Sequence, residues 1–240
     1  MKLQAIHFAK ILFIRLRLHV IFSWITPFFR QLLWMTQLSR WAEKHKNISV
    51  NDFPSKWDYQ KRFGLYEHII KTEGLQAPIN YLEFGVANGV SFNWWMTQNS
   101  HAESRFYGFD TFTGLPEDFG PFKKGAFGDG GKMPAIKDER GQFFEGLFQQ
   151  TLPGFLSTFD NQNKIVLMLD ADLFTATLYT LTSLAPFLKE GDIILFDEFV
   201  VPTHEFMAYT HFVESYYFEM ELIGAANNYY FVAFKVKKSK

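Results

Sequence analysis

Residues 165–199, IVLMLDADLFTATLYTLTSLAPFLKEGDIILFDEF, constrain the fold more than any other stretch of the chain. Residues 165–169 form a short apolar run that ends in Asp170 and Asp172. Leu178, Leu181, Leu184 and Leu188 then recur at near-helical spacing, and Gly191 stands where a helix stops. Residues 193–196 are a second apolar run, closed by Asp197 and Glu198. This order predicts a strand, a helix and a second strand parallel to the first. Both strands would deliver their acids to one sheet edge, the carboxyl edge where open α/β folds bind ligands. Four carboxylates that close repel one another, so some take up protons or a cation joins them. A hard divalent ion with oxygen ligands suits that set.

The chain has 240 residues, enough for one sizeable core, and a single domain with an extension is the simplest organisation. Its 48% hydrophobic content and 29 Phe fit a compact globule rather than disorder. The lack of cysteine excludes a disulfide scaffold and thiolate metal sites, and is compatible with a reducing, cytoplasmic compartment. A net charge of −1 gives no electrostatic case for nucleic acid. Near-neutrality hides an asymmetry, however. Lys2, Lys10, Arg15, Arg17, Arg30 and Arg40 give residues 1–42 a charge of +6 with no acid, leaving −7 for the rest.

Residues 1–46 are expected to form a basic, apolar helical extension. Its longest uncharged run, residues 18–29, is 12 residues, short of the ~20 a membrane span needs. No small-residue cleavage site follows a clean apolar core, which argues against a secretory signal. Basic and apolar residues together suit peripheral contact with an anionic membrane, such as the inner face of a cell membrane. At 100° per residue the cations scatter round a helix, so packing on the domain or on a second copy in a homodimer stands equally open. Residues 47–55, with Asp52 and Pro54, look like a linker, and residues 57–240 form the main domain.

A helix is predicted over 57–73, with Phe63, Tyr66, Ile69 and Ile70 on one face and Gly74 at its end. The strand at 80–84 runs into Glu83-Phe84-Gly85-Val86-Ala87-Asn88-Gly89 and a helix bearing Phe92, Trp94, Trp95 and Met96. Strand, glycine turn and helix make a nucleotide-binding βα unit, in which backbone approaches the ligand closely. Ala87 and Val90 stand where a dinucleotide fingerprint wants glycine, so a pyrophosphate turn is poorly supported. The next strand, 105–109, ends at Asp110, where a ribose diol is usually gripped; a turn-forming aspartate is the competing role. Thr111 follows, then Phe112, which would stack on a base or plug the core.

Residues 119–142 lose periodicity and gather Gly120, Gly125, Gly128, Gly130 and Gly131 with Asp129 among them, as a closing lid would. A short strand at 142–145 and a helix at 151–159 precede the central stretch. Beyond it, Phe206, Tyr209, Phe212 and Val213 predict an amphipathic helix. His204 and His211 are two turns apart and cannot chelate one metal; His204 lies close enough in sequence to the acid edge to reach a substrate hydroxyl, or else caps the helix. A hairpin at 220–225 and 229–236 turns through Asn227-Asn228, and Lys235, Lys237, Lys238 and Lys240 form a basic tail.

YLEFGVANGVSFNWW, FYGFDTFTGLPEDF, the EGLFQQTLP segment at 145–153 and LDADLFTATLYTLTSLAPFLKEGDIILFDEF together resemble the macrocin O-methyltransferase family, over residues 57–236. That resemblance implies a Rossmann-like class I methyltransferase fold: a seven-stranded, mostly parallel sheet with an antiparallel C-terminal hairpin. It also implies an S-adenosylmethionine-dependent enzyme that methylates sugar hydroxyls with help from Mg²⁺ or another divalent cation. Under it, Glu83, Gly85, Ala87, Asn88 and Gly89 match the methionine-binding turn, and Asp110, Thr111 and Phe112 the cofactor ribose edge. Asp170, Asp197 and Glu198 match the metal ligands, and Asp172 the general base. The chain departs from the family in Asp-Glu-Phe for Asp-Asp-Tyr at 197–199 and in Gly191-Asp192 for Gly-Gly.

The chemistry of such a site is coherent. An alcohol is a poor nucleophile at neutral pH; a divalent ion lowers its pKa and a carboxylate takes its proton. The acceptor expected is a small-molecule or glycan hydroxyl. Two rival classes stay open at this point: a nucleotide-dependent oxidoreductase, and a catalytically inactive, membrane-associated binding protein.

Overall fold

The computed structural model describes residues 2–48, 50–54, 56–128, 130–136 and 138–238. Ser49 and Ser55 of the linker, Asp129 of the expected lid and Lys240 of the basic tail lie outside the described residues.

Strands covered on both faces need apolar residues in both registers. β1 (Ile79–Phe84) is buried at every position, and β4 (Lys164–Leu169) at all but its first. β1 pairs in parallel with β4 on one side and with β2 (Arg105–Asp110) on the other. β2 carries β3 (Gly141–Glu145), and β4 carries β5 (Ile193–Phe196), again in parallel. β6 (Glu219–Ala226) and β7 (Phe231–Lys238) close the sheet as an antiparallel hairpin, in the order β3-β2-β1-β4-β5-β7-β6. This is the Rossmann-like class I methyltransferase architecture, and its strand order reverses between β1 and β4. Ligand crevices form outside the carboxyl ends of strands at such a reversal.

Alternation sorts the strand residues into two cores. Ile165, Leu167 and Leu169 join Leu82, Phe84, Ile194 and Phe196 on one face, under α6 (Phe148–Leu156), α7 (Phe174–Leu184) and α8 (Glu205–Tyr216). Val166 and Met168 join Tyr81, Ile193 and Leu195 on the other, under α4 (Lys61–Thr72) and α5 (Val90–Gln98).

Three helices differ from expectation at their ends. α7 stops at Leu184 rather than running to Gly191, because Pro186 has no N–H to donate back into the helix. α6 begins at Phe148 instead of 151, because Gln150 returns its side chain to the Leu147 N–H (3.1 Å). α4 begins at Lys61 instead of 57, after Asp58 has accepted the Gln60 N–H (3.0 Å) in a turn. The family departure at Asp192 has a local cause. Its buried carboxylate accepts the Ile165 and Lys189 N–H groups, both at 2.8 Å, and so ties the start of β4 to the turn before β5.

The extension is three helices, α1 (Lys2–Arg15), α2 (His19–Phe22) and α3 (Thr26–Lys44). Trp34 and Trp41 anchor α3 to the domain. Trp34 meets Phe206 edge-on at 6.2 Å, and Trp41 packs on Phe199 at 4.8 Å.

Candidate active site

The pocket at the strand reversal encloses about 290 Å³. Gly85, Ala87, Asp110 and Thr111 line one side, and Asp170, Asp172, Asp197 and Glu198 the other. Each strand places its residue there by ending at the same edge, as the register Phe84–Leu169 and Leu169–Phe196 requires.

Gly85 has φ +96°, and a Cβ on it would lie 1.8 Å from the Asp170 carbonyl oxygen, so only glycine lets β1 and β4 turn away side by side. Asp110 is a turn-forming aspartate that also lines the pocket. Its Oδ2 accepts the Ala87 N–H (2.8 Å) and its Oδ1 the Phe112 N–H (2.7 Å), while the carboxylate still lines the pocket. Thr111 holds the following turn through Oγ1 to the Gly114 carbonyl (2.8 Å). Asn88 is exposed beside the pocket turn, and Gly89, with φ +69°, caps α5.

Two expected cofactor contacts lie elsewhere. Phe112 is buried against Phe143 (5.6 Å between rings) and plugs the core rather than facing the pocket. Glu83 is buried beneath the turn, where its Oε2 accepts the Tyr81 hydroxyl at 2.6 Å. Burial pushes the Glu83 carboxyl up to about 8 in spite of that bond. His204, expected near the reacting hydroxyl, stands at the start of α8 with its ring edge-on to Phe119 (4.8 Å). It faces a different cavity, toward α2 and α3, and burial followed by the charge of Arg30 lowers its pKa.

The four acids converge as two pairs. Asp170 faces the charge of Asp197, and Asp172 that of Glu198. Burial raises all four; the charge of Asp197 adds to it at Asp170, and that of Glu198 at Asp172, which reaches about 8. Asp172 also adopts φ +59°, a strained conformation for a residue with a side chain.

Arg62 went unnoticed in the sequence. Its buried guanidinium lies 3.1 Å from Asp197 Oδ1 and 3.6 Å from Asp170 Oδ2, over the Tyr59 ring at 3.7 Å. The signal was present, because Arg62 is one turn before Tyr66 on the apolar face of α4. Tyr230 donates to Glu198 Oε1 (2.7 Å), and buried Glu205 accepts the Glu198 N–H through Oε2 (2.9 Å). Leu115 and Pro116, and Phe127 from the glycine-rich segment, also line the pocket.

One guanidinium cannot balance four carboxyls. The donor set is hard oxygen, and Glu198 Oε2 is buried without a partner, so the residues suit a divalent cation in kind. As paired here, among the described residues no three of them already surround an ion position.

Residues 82–199 match a family model described as a methyltransferase domain. The fold is that of a class I methyltransferase. Among solved structures, the calicheamicin methyltransferase CalS11 is 19% identical with a TM-score of 0.58, covering 86% of this chain and 92% of that one. The O-methyltransferase NovP is 20% identical with a TM-score of 0.57, covering 74% and 80%. CmcI with Mg and SAM is 14% identical with a TM-score of 0.51, covering 75% and 72%. These likenesses are of fold. No curated protein sequence matches the chain significantly.

Proposed function

We propose that the chain transfers a methyl group from S-adenosylmethionine to a hydroxyl of a sugar or glycan-type molecule, as a macrocin O-methyltransferase-like enzyme. The observation that carries this reading is one pocket with a donor half at Gly85, Ala87 and Asp110 and an acid half at Asp170, Asp172, Asp197 and Glu198. CalS11 is a TDP-rhamnose 3'-O-methyltransferase, which supports a sugar acceptor.

In this mechanism the Gly85 turn lets the methionine part of the donor approach the backbone, and Asp110 receives the ribose hydroxyls with its remaining lone pairs. The acceptor oxygen attacks the methyl carbon in line, the carbon–sulfur bond breaks, and sulfur keeps the electron pair. Asp172 takes the hydroxyl proton. Asp170, Asp197 and Glu198 would hold a divalent cation, which when bound acidifies and orients the hydroxyl. Arg62 fixes Asp197 and Asp170 at the back of the pocket, and Tyr230 fixes Glu198.

The test is calorimetry and turnover with S-adenosylmethionine and a panel of sugar acceptors. Asp172→Asn should bind the donor normally and lose about 10²–10⁴-fold in rate. Full turnover by that variant would remove Asp172 from the mechanism, and binding of NAD in place of S-adenosylmethionine would return the oxidoreductase reading.

A further inference from the structure

We infer that α1, α2 and the first half of α3 form a docking surface for an anionic lipid bilayer. Residues 3–10 and 12–17 are all exposed, and they place Leu3, Phe8 and Phe13 on different sides of α1. A helix that is apolar all round belongs in an apolar medium, and the domain supplies none here. In the break at 23–25 Trp24 is 77% exposed, and just beyond it Phe28 is 64% exposed. Such large side chains are rarely left this open on a soluble face without an occupant.

Charge selects the occupant. Lys10, Arg15, Arg17, Arg30 and Arg40 are exposed among these apolar groups, and no acid lies anywhere in residues 1–42. A second copy of the chain would bring an equal set of cations against the first, which opposes self-association through this face. Anionic headgroups complement the cations while the acyl region takes the apolar side chains. Geometry sets the depth. α1 has 14 residues, about 21 Å of helix, against about 30 Å of hydrocarbon, and no helix of the described residues is long and apolar enough to cross a membrane. The surface therefore lies in the interface. The cleft of about 620 Å³ lies where the arm meets the domain, with Phe13, His19, Phe22 and Arg30 on the arm's side and Thr203 and His204 on the domain's. Trp34 and Trp41 tie this surface to the domain, so docking would fix the orientation of the catalytic pocket as well.

The experiment is sedimentation of the full chain with phosphatidylcholine vesicles, with and without phosphatidylglycerol. The chain should pellet with the anionic vesicles, at least tenfold more than with neutral ones, and be released at about 1 M salt, where screening is nearly complete. Trp24→Ser/Phe28→Ser and Arg15→Glu/Arg17→Glu should each lose tenfold or more in partitioning with unchanged circular dichroism. Failure to pellet with either vesicle overturns the inference, and equal binding to both overturns its electrostatic half. A dimer in solution that Trp24→Ser/Phe28→Ser dissociates would give the face to a second copy instead. The readout is binding alone, so neither result depends on the domain's proposed chemistry.

Discussion

The carboxyl edge of the sheet and the N-terminal arm depart from the usual partition of residues in opposite directions. At the edge, Glu83, Asp197 and Glu205 are carried into the interior, and the fold answers with Tyr81, Arg62 and the Glu198 N–H as partners. Along the arm, Leu3, Trp24 and Phe28 stand in solvent. Buried charge costs stability unless it is well paired. An exposed apolar side chain forgoes about 25 cal/mol for each Å² it fails to bury. Folding alone favours neither arrangement, so each marks a place where the molecule meets something else. Under the two proposals above, the edge takes small polar reactants and the arm an extended apolar and anionic surface.

Breaking the first half of that contrast should cost the most. Arg62→Met leaves Asp197 buried without its cation, and a loss of about 3–5 kcal/mol is expected in urea unfolding with EDTA present. A loss under 1 kcal/mol would mean that the acids already carry protons and need no guanidinium. Glu83 gives a pH-resolved version of the same test. Its folded pKa, about 8, is above the ordinary 4.5, so the folded state holds the extra proton. The stability this group lends is complete below about pH 4.5 and is lost as pH rises through 8. Glu83→Gln stays neutral, so wild type should fall behind it between pH 5 and 8.5, by on the order of 4–5 kcal/mol at ~1.4 kcal/mol per pKa unit. Parallel pH profiles for the two proteins would show that Glu83 ionises normally. Gly85→Ala should cost about 2–3 kcal/mol, since the Asp170 carbonyl occupies the space a Cβ needs. Weakened donor binding should accompany it, and a thermal shift with S-adenosylmethionine reads both effects.

How far each region was legible depends on whether its cause is local. β2, β4 and β5 end where the apolar runs end, so Asp110, Asp170, Asp172, Asp197 and Glu198 were readable at one sheet edge from strand grammar alone. Arg62 was not, because its partner Asp197 is 135 residues away and a cation on an apolar face has no local explanation. Phe112 was ambiguous for a similar reason. Its backbone turns to φ +55° after Asp110 takes its N–H, and only the packing of Phe143 decides that the ring points inward. His204 follows the acid strand in sequence, yet the turn at 199–203 carries it to the far side of Phe119. The arm's composition was plain, but the breaks between its helices undo a single-helix projection of its charges.

The smallest expected effect tests the second half of the contrast. If Phe28 and Trp24 contribute nothing to the folded domain, Trp24→Ser and Phe28→Ser should each leave urea unfolding within about 0.5 kcal/mol of wild type. Trp41→Ser, on the same arm but packed among Phe199, Tyr209 and Phe234, should instead cost several times as much. The pair separates anchoring from display along one polypeptide. A loss of 2 kcal/mol or more from Phe28→Ser would mean that this side chain is covered in solution, and that the arm closes on the protein itself rather than facing outward.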